Sequence, residues 1–238
     1  MFTDLLDPED ARRATKVVEA VLVHGLRCAL TGGLAIDAQL RAHGQPIERR
    51  HLNDIDVVVE GFRSIPESIA RSFLQHHVHP DATDGRMLLQ LIDEDRRIRI
   101  DVFKALGMTL ARACPLNDET GDLDVLSVED LVARSTALVC GCLRRSQAID
   151  VKHVNAFKRL RGLGEPAKLA AAWSDHCQRV PGTLDEASRE AARLLETHGE
   201  LVVVERYSSD PVPCERCRQH GSFRPAPPNK VVEILGYC

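Results

Sequence analysis

Apolar positions along the chain switch period near residue 126. Before that point, short apolar runs alternate with helical stretches; after it, the spacing is that of helices. Asp7 stands as N-cap, Pro8 as first helical residue and Glu9 and Asp10 in the first turn of a helix that carries Val17, Val18, Val21 and Leu22 and stops at Gly25. Leu26 to Thr31 is a short apolar run that ends in Gly32-Gly33. Leu34 to His43 is helical and closed by Gly44. The unit is therefore strand, glycine turn, helix.

Asp54 to Glu60 (DIDVVVE) is dense in β-branched residues and predicts a strand. Pro66 to His77 predicts a helix. Met87 to Ile92 and Arg96 to Phe103 predict two strands joined at Asp93-Glu94-Asp95. Ser127 with Asp130 opens a helix, Pro166 opens another, and Thr183 with Glu186 makes a capping box for Ala187 to His198, stopped by Gly199. Leu201 to Glu205 could add a strand. The expected class is α/β: a small mixed sheet with flanking helices, then a helical subdomain and a cysteine-containing tail.

Composition narrows the function classes. The chain has 238 residues, 31 Lys and Arg against 35 Asp and Glu, so no polybasic footprint advertises a nucleic-acid duplex or an anionic membrane. The first 125 residues hold 15 basic and 21 acidic side chains, which places the negative charge at the front. No apolar run approaches the roughly 18 to 20 residues of a membrane span, and the acidic start MFTDLLDPEDARR is unlike an export signal; a soluble cytoplasmic protein is expected.

Chemistry concentrates in three places. Asp54 and Asp56 lie two apart in a strand, so both side chains share one face about 6 to 7 Å apart. Two carboxylates so placed repel unless they share a cation, and Mg²⁺ held by a few carboxylates plus substrate phosphates is the usual solution. Asp101, on one face of its strand with Arg99 and Phe103, could complete a triad able to hold two such ions. Gly32-Gly33 joins a strand to a helix, where free backbone N–H groups and the missing Cβ atoms favour a phosphate. In the tail, Cys214-x-x-Cys217 with His220 and the terminal Cys238 has the donors of a tetrahedral zinc site, with His176, Cys177 or His198 as other fourth ligands; free thiols are the competing reading. Cys28, Cys140 and Cys142 read as core, and His76, His77 and His79 as the cationic end of a helix.

Leu30-Thr31-Gly32-Gly33-Leu34-Ala35-Ile36-Asp37, followed by Asn53-Asp54-Ile55-Asp56 and then Asp101 in a later strand, resembles the DNA polymerase β-type nucleotidyltransferase superfamily. The GG-x-A-I-D form is most similar to its aminoglycoside 2″-adenylyltransferase-like branch. The resemblance covers residues 26 to 160 and includes Ser127-Val128-Glu129-Asp130-Leu131. It implies that Gly32 and Gly33 contact a triphosphate, that Asp54 and Asp56 bind Mg²⁺, and that Asp101 binds metal or accepts the acceptor's proton. Small members often carry R-x-K-D-x-x-D after the helical start; here Asp150 is kept, with Ile149 and His153 where Lys and Asp would stand. Arg50 and Lys152 are the expected nucleotide contacts, with Arg144, Arg145 and Lys158 as further basic substitutes.

These expectations divide the chain into a catalytic core at 1–108, a linker at 109–125, a helical subdomain at 126–200 and a Cys/Pro-rich tail at 201–238, with zinc as its ordering metal. The activity implied is Mg²⁺-dependent transfer of a nucleoside monophosphate, AMP from ATP foremost, to a hydroxyl. A small cationic acceptor such as an aminoglycoside suits the acidic front half. A toxin-like enzyme acting on tRNA or protein, and a silent nucleotide-binding module, are the alternatives.

Overall fold

The computed structural model describes residues 2–78, 88–93, 98–116, 123–177 and 180–205. Helix α1 (Pro8–Val23) starts where expected, although the Asp7 carboxylate does not cap it and instead meets His51 Nδ1 at 3.0 Å. Strand β1 (Ala29–Thr31) runs into α2 (Gly32–Ala42), and Gly44, at φ +68°, lies just beyond its end. Strand β2 (Asp54–Val59) is followed by α3 (Glu67–Ser72), β3 (Leu74–Val78), β4 (Leu88–Asp93) and β5 (Ile98–Lys104). Two short strands, β6 (Cys114–Pro115) and β7 (Asp124–Val125), precede α4 (Val128–Arg144). Strand β8 (Ile149–Asp150), α5 (Val151–Leu160), α6 (Pro166–His176), α7 (Leu184–Val202) and β9 (Val203–Val204) complete the described chain.

Seven strands form one mixed sheet in the order β3-β4-β5-β2-β1-β7-β6. Strand β2 is central, parallel to β5 and antiparallel to β1. Its burial follows from that place: Val57, Val58 and Val59 are buried, while Asp54 and Asp56, at the strand's start, are partly exposed. Helix α2 packs on β1 and β2, and α4 packs against α5, α6 and α7. One apolar core runs from Val17 and Val21 of α1 through Leu30, Ile55 and Ile100 to Leu131, Phe157 and Trp173. Trp173 donates its indole N–H to the Gly182 carbonyl at 2.8 Å.

Several expectations need correction. The stretch 66–77 is not one helix: α3 ends at Ser72, and Leu74 to Val78 pairs antiparallel with β4, so His76 and His77 lie in a strand. Cross-strand pairing, invisible to local periodicity, overrides the helical pattern there. The 109–125 stretch, expected as a linker, supplies β6 and β7, and β7 extends the sheet by pairing with β1. Gly199 does not stop α7, which continues to Val202 with Gly199 buried in its interior. The three expected helix starts of the second half hold: Ser127 accepts from the Asp130 N–H, Pro166 opens α6, and Thr183 and Glu186 form the capping box. His79 and the tail residues Cys214, Cys217, His220 and Cys238 lie outside the described residues.

Candidate active site

Sheet register assembles a polar row across four strands. Thr31 of β1 is opposite Asp56 of β2, Asp56 is opposite Asp101 of β5, and Asp101 is opposite Gln90 of β4. Direct cross-strand partners project to the same face, so these four side chains share one surface. Two residues back along β2, Asp54 is opposite Arg99. The DxD pair and Asp101, separate features of the sequence, thus meet because β2 and β5 are parallel neighbours.

The glycine turn abuts this row. Gly32 has φ +64°, and a Cβ added there would lie 1.8 Å from Asp56 Oδ2. Both the left-handed backbone and the carboxylate therefore demand glycine. A Cβ on Gly33 would meet Arg50 Nη2 at 2.6 Å, the end of a flexible side chain that can move. Gly32→Ala is expected to lower any activity of the site about a hundredfold, the usual cost of a carboxylate misplaced by an ångström, and Gly33→Ala far less. Turnover in the two variants, compared side by side, checks the order; equal losses would contradict it.

Arg50 is fixed over this turn by Asp37 of α2. Asp37 is buried; its Oδ2 accepts from Arg50 Nε at 2.9 Å and its Oδ1 from Arg159 Nη1 at 3.2 Å. Arg159 was not foreseen, because 122 residues separate it from Asp37. Nor was Arg134 of α4, which donates to the Thr31 hydroxyl and stands 5.2 Å over the Phe103 ring. The one sequence clue to Arg134 is a charge among the apolar positions of an otherwise buried helix.

Burial dominates the electrostatics. It pushes the Asp56 carboxyl up to about 7, helped by the charges of Asp54 and Asp101 and opposed by those of Arg134 and Lys152. It also raises Asp101 to about 6, with Arg99 and Gln90 pulling back and Asp54 pushing further. The same burial lowers the Arg134 guanidinium, against the charge of Asp56. Lys152, exposed at the start of α5, thus acts on Asp56 through its charge. Arg144 and Arg145 are engaged elsewhere, with Glu190 and Gln147 respectively. Asp150 caps α5 by accepting from the Lys152 N–H.

The donor set suits a hard divalent cation in part. Asp54 and Asp56 are partly exposed residues on one face, and like charge at Asp56 is what a cation would relieve. Asp101 is not aimed at the same point. Its Oδ1 accepts from Gln90 Nε2 at 3.1 Å and lies 3.1 Å from Arg99 Nε, and among the described residues no three His, Cys, Asp or Glu side chains converge as a metal cage. A two-carboxylate site completed by phosphate oxygens and water fits; a preformed three-aspartate site does not. His176, one candidate zinc ligand, is buried in α6 with Nε2 3.0 Å from Asp130 Oδ1.

Neither a protein-family model nor a curated protein matches the chain. Among solved structures, an antigenic nucleotidyltransferase-like protein from Paracoccidioides brasiliensis is 14% identical, with 84% of this chain and 96% of that one covered and a TM-score of 0.47. A candidate nucleotidyltransferase from Thermotoga maritima is 15% identical over 60% of this chain and 92% of its own, with a TM-score of 0.43. JHP933 from Helicobacter pylori is 12% identical over 82% and 94%, with a TM-score of 0.32. The functional reading of this chain rests on its own side chains.

Proposed function

We propose that the chain is a Mg²⁺-dependent nucleotidyltransferase that moves a nucleoside monophosphate, AMP from ATP in the first instance, to a hydroxyl of a small cationic molecule such as an aminoglycoside. The observation that supports this best is the placement of Gly32 against Asp56 in a row with Asp101. It sets an anion-binding helix start beside carboxylates that suit a metal bound to phosphate. In this reading Asp54 and Asp56 hold the metal, which when bound neutralises phosphate charge and aligns the triphosphate. Gly32 and Gly33 let the phosphates approach the start of α2. Arg50, held by Asp37, and Lys152 add positive charge there.

Asp101 accepts the proton as the acceptor oxygen attacks the α-phosphorus. The bond from the α-phosphorus to the β-bridging oxygen breaks and pyrophosphate leaves. A carboxyl raised to about 6 is a better proton acceptor than an ordinary aspartate and is still mostly ionised at neutral pH. The acidic front half supports a cationic acceptor.

The test is transfer of label from α-labelled ATP to a panel of aminoglycosides, in the parent and in Asp101→Ala. The variant is expected to lose about a hundredfold or more in kcat with a small change in KM for ATP, because its contact matures in the transition state. Unchanged kcat in Asp101→Ala would remove its role as base. Absence of any labelled product, with nucleotide nevertheless bound, would remove the small-molecule acceptor.

A further inference from the structure

Arg99 spans two of the three carboxylates. Its Nη2 pairs with Asp54 Oδ2 on the neighbouring strand, and its Nε lies 3.1 Å from Asp101 Oδ1 on its own. The register makes this contact unavoidable: Arg99 is opposite Asp54, and Asp101 is two residues along on the same face. The guanidinium fork hydrogen-bonds Asp54 through Nη2 and faces Asp101 through Nε at ion-pair distance, a two-sided reach that an ammonium lacks. A cation shared by Asp54 and Asp101 would need the same oxygens. The arginine also explains why the three aspartates do not converge: Asp54 and Asp101 are drawn to the guanidinium, and Asp56 is left with Gly32. The Arg99 side chain is 24% exposed, so it has a path to solvent along its flexible stem.

We infer that Arg99 is a built-in cation that holds Asp54 and Asp101 together in the metal-free protein and is displaced when a divalent ion binds. It thereby sets the metal affinity of the site. The inference rests on the reading of Asp54 and Asp56 as metal ligands. Arg99 is a positioning residue: it makes no contact with substrate and acts by occupying the carboxylates. Its displacement frees Asp54 for the metal and Asp101 for the acceptor's proton. Without Arg99 the carboxylates would repel one another in the empty protein and welcome any divalent ion.

The experiment is titration of MnCl₂ alone, without nucleotide, into the full chain by calorimetry, together with melting curves in EDTA and in saturating Mn²⁺. Arg99→Met is expected to bind Mn²⁺ about tenfold more tightly than the parent, and Arg99→Lys, which keeps the charge but not the fork, to fall between them. In EDTA, Arg99→Met should melt below the parent, and saturating Mn²⁺ should erase the deficit. A purely structural ion pair would leave the deficit equal in both conditions, and that result overturns the inference. Asp54→Asn separates it from the reading beneath it. If the parent binds Mn²⁺, Asp54→Asn does not, and Arg99→Met binds no better than the parent, only the role of Arg99 falls. If parent and Asp54→Asn bind alike, the metal reading falls and takes the inference with it; if no variant binds Mn²⁺ alone, no ion displaces Arg99 and the inference falls by itself. Should Arg99→Met fail to fold, Arg99→Lys carries the comparison, and parent-like affinity in it together with an equal melting deficit in both conditions counts against the inference.

Discussion

Asp56→Asn is expected to abolish metal-dependent transfer, by about a thousandfold or more, and to give a protein more stable than the parent at pH 8 in EDTA. On the proposed reading, activity falls because an amide supplies no charge to a divalent ion beside the phosphates. Stability rises because the folded state raises this carboxyl from 3.8 to about 7, chiefly by burial and then by the charges of Asp54 and Asp101. A folded state that holds a proton more tightly than the unfolded chain is favoured at low pH and loses that advantage as pH rises through the folded value. The parent should therefore lose stability between about pH 4 and 7 on account of Asp56, and between about pH 4 and 6 on account of Asp101. Asparagine removes the Asp56 share. The two proteins should be similar near pH 4 and differ by up to about 4 kcal/mol at pH 8. Urea denaturation across this range checks it; a variant less stable than the parent at pH 8 would contradict the electrostatic account.

Asp130→Ala is expected to destabilise the fold by about 3–5 kcal/mol, the cost of breaking a buried ionic network from one side. Asp130 is fully buried at the start of α4. Its Oδ2 accepts from Arg112 Nε at 2.9 Å and from the Ser127 hydroxyl at 2.6 Å, and its Oδ1 receives Arg112 Nη2 at 2.7 Å and His176 Nε2 at 3.0 Å. Arg112 also reaches Asp175 Oδ2 at 2.6 Å, so one carboxylate ties the segment after β5 to α4 and α6. Burial alone would raise this carboxyl, but the hydrogen bonds from His176, Arg112 and Ser127 win and hold it well below the usual carboxylate range. Its stabilisation is present above about pH 4 and is lost as acid titrates it, opposite in sign to Asp56. Alanine leaves Arg112 and His176 without their shared acceptor. A loss under about 1 kcal/mol by urea denaturation would show that the network contributes little.

What the sequence made legible was local. The run from Thr31 through Gly32-Gly33 marks a strand-to-helix turn because only that combination frees backbone N–H groups at a close approach, and β1 and α2 meet there. DIDVVV is a strand by its branching, and its alternation put both aspartates on one face. The S-x-x-D and T-x-x-E signals announced α4 and α7 because capping is chemistry within four residues. What stayed hidden depends on register between distant segments. Arg99 opposite Asp54, Arg134 beneath Thr31 and Arg159 on Asp37 are contacts across 45, 103 and 122 residues, and no periodicity encodes them. The same reason explains β3: Leu74 to Val78 is a strand because β4 lies beside it. Asp130 shows an intermediate case, read from its spacing as a helix-start residue while its larger role, with Arg112 and His176, needed the fold.

In the proposed function, Asp54, Asp56 and the glycine turn form one site for a metal-bound nucleoside triphosphate. Calorimetric titration of a non-hydrolysable ATP analogue into the parent and into Asp54→Asn, each with Mg²⁺ and with EDTA, tests it most directly. One site per chain is expected in the parent, weakened about tenfold or more by EDTA, with weak, Mg²⁺-independent binding in Asp54→Asn. Binding by the parent that is indifferent to Mg²⁺, or equal affinity in the two proteins, would contradict it.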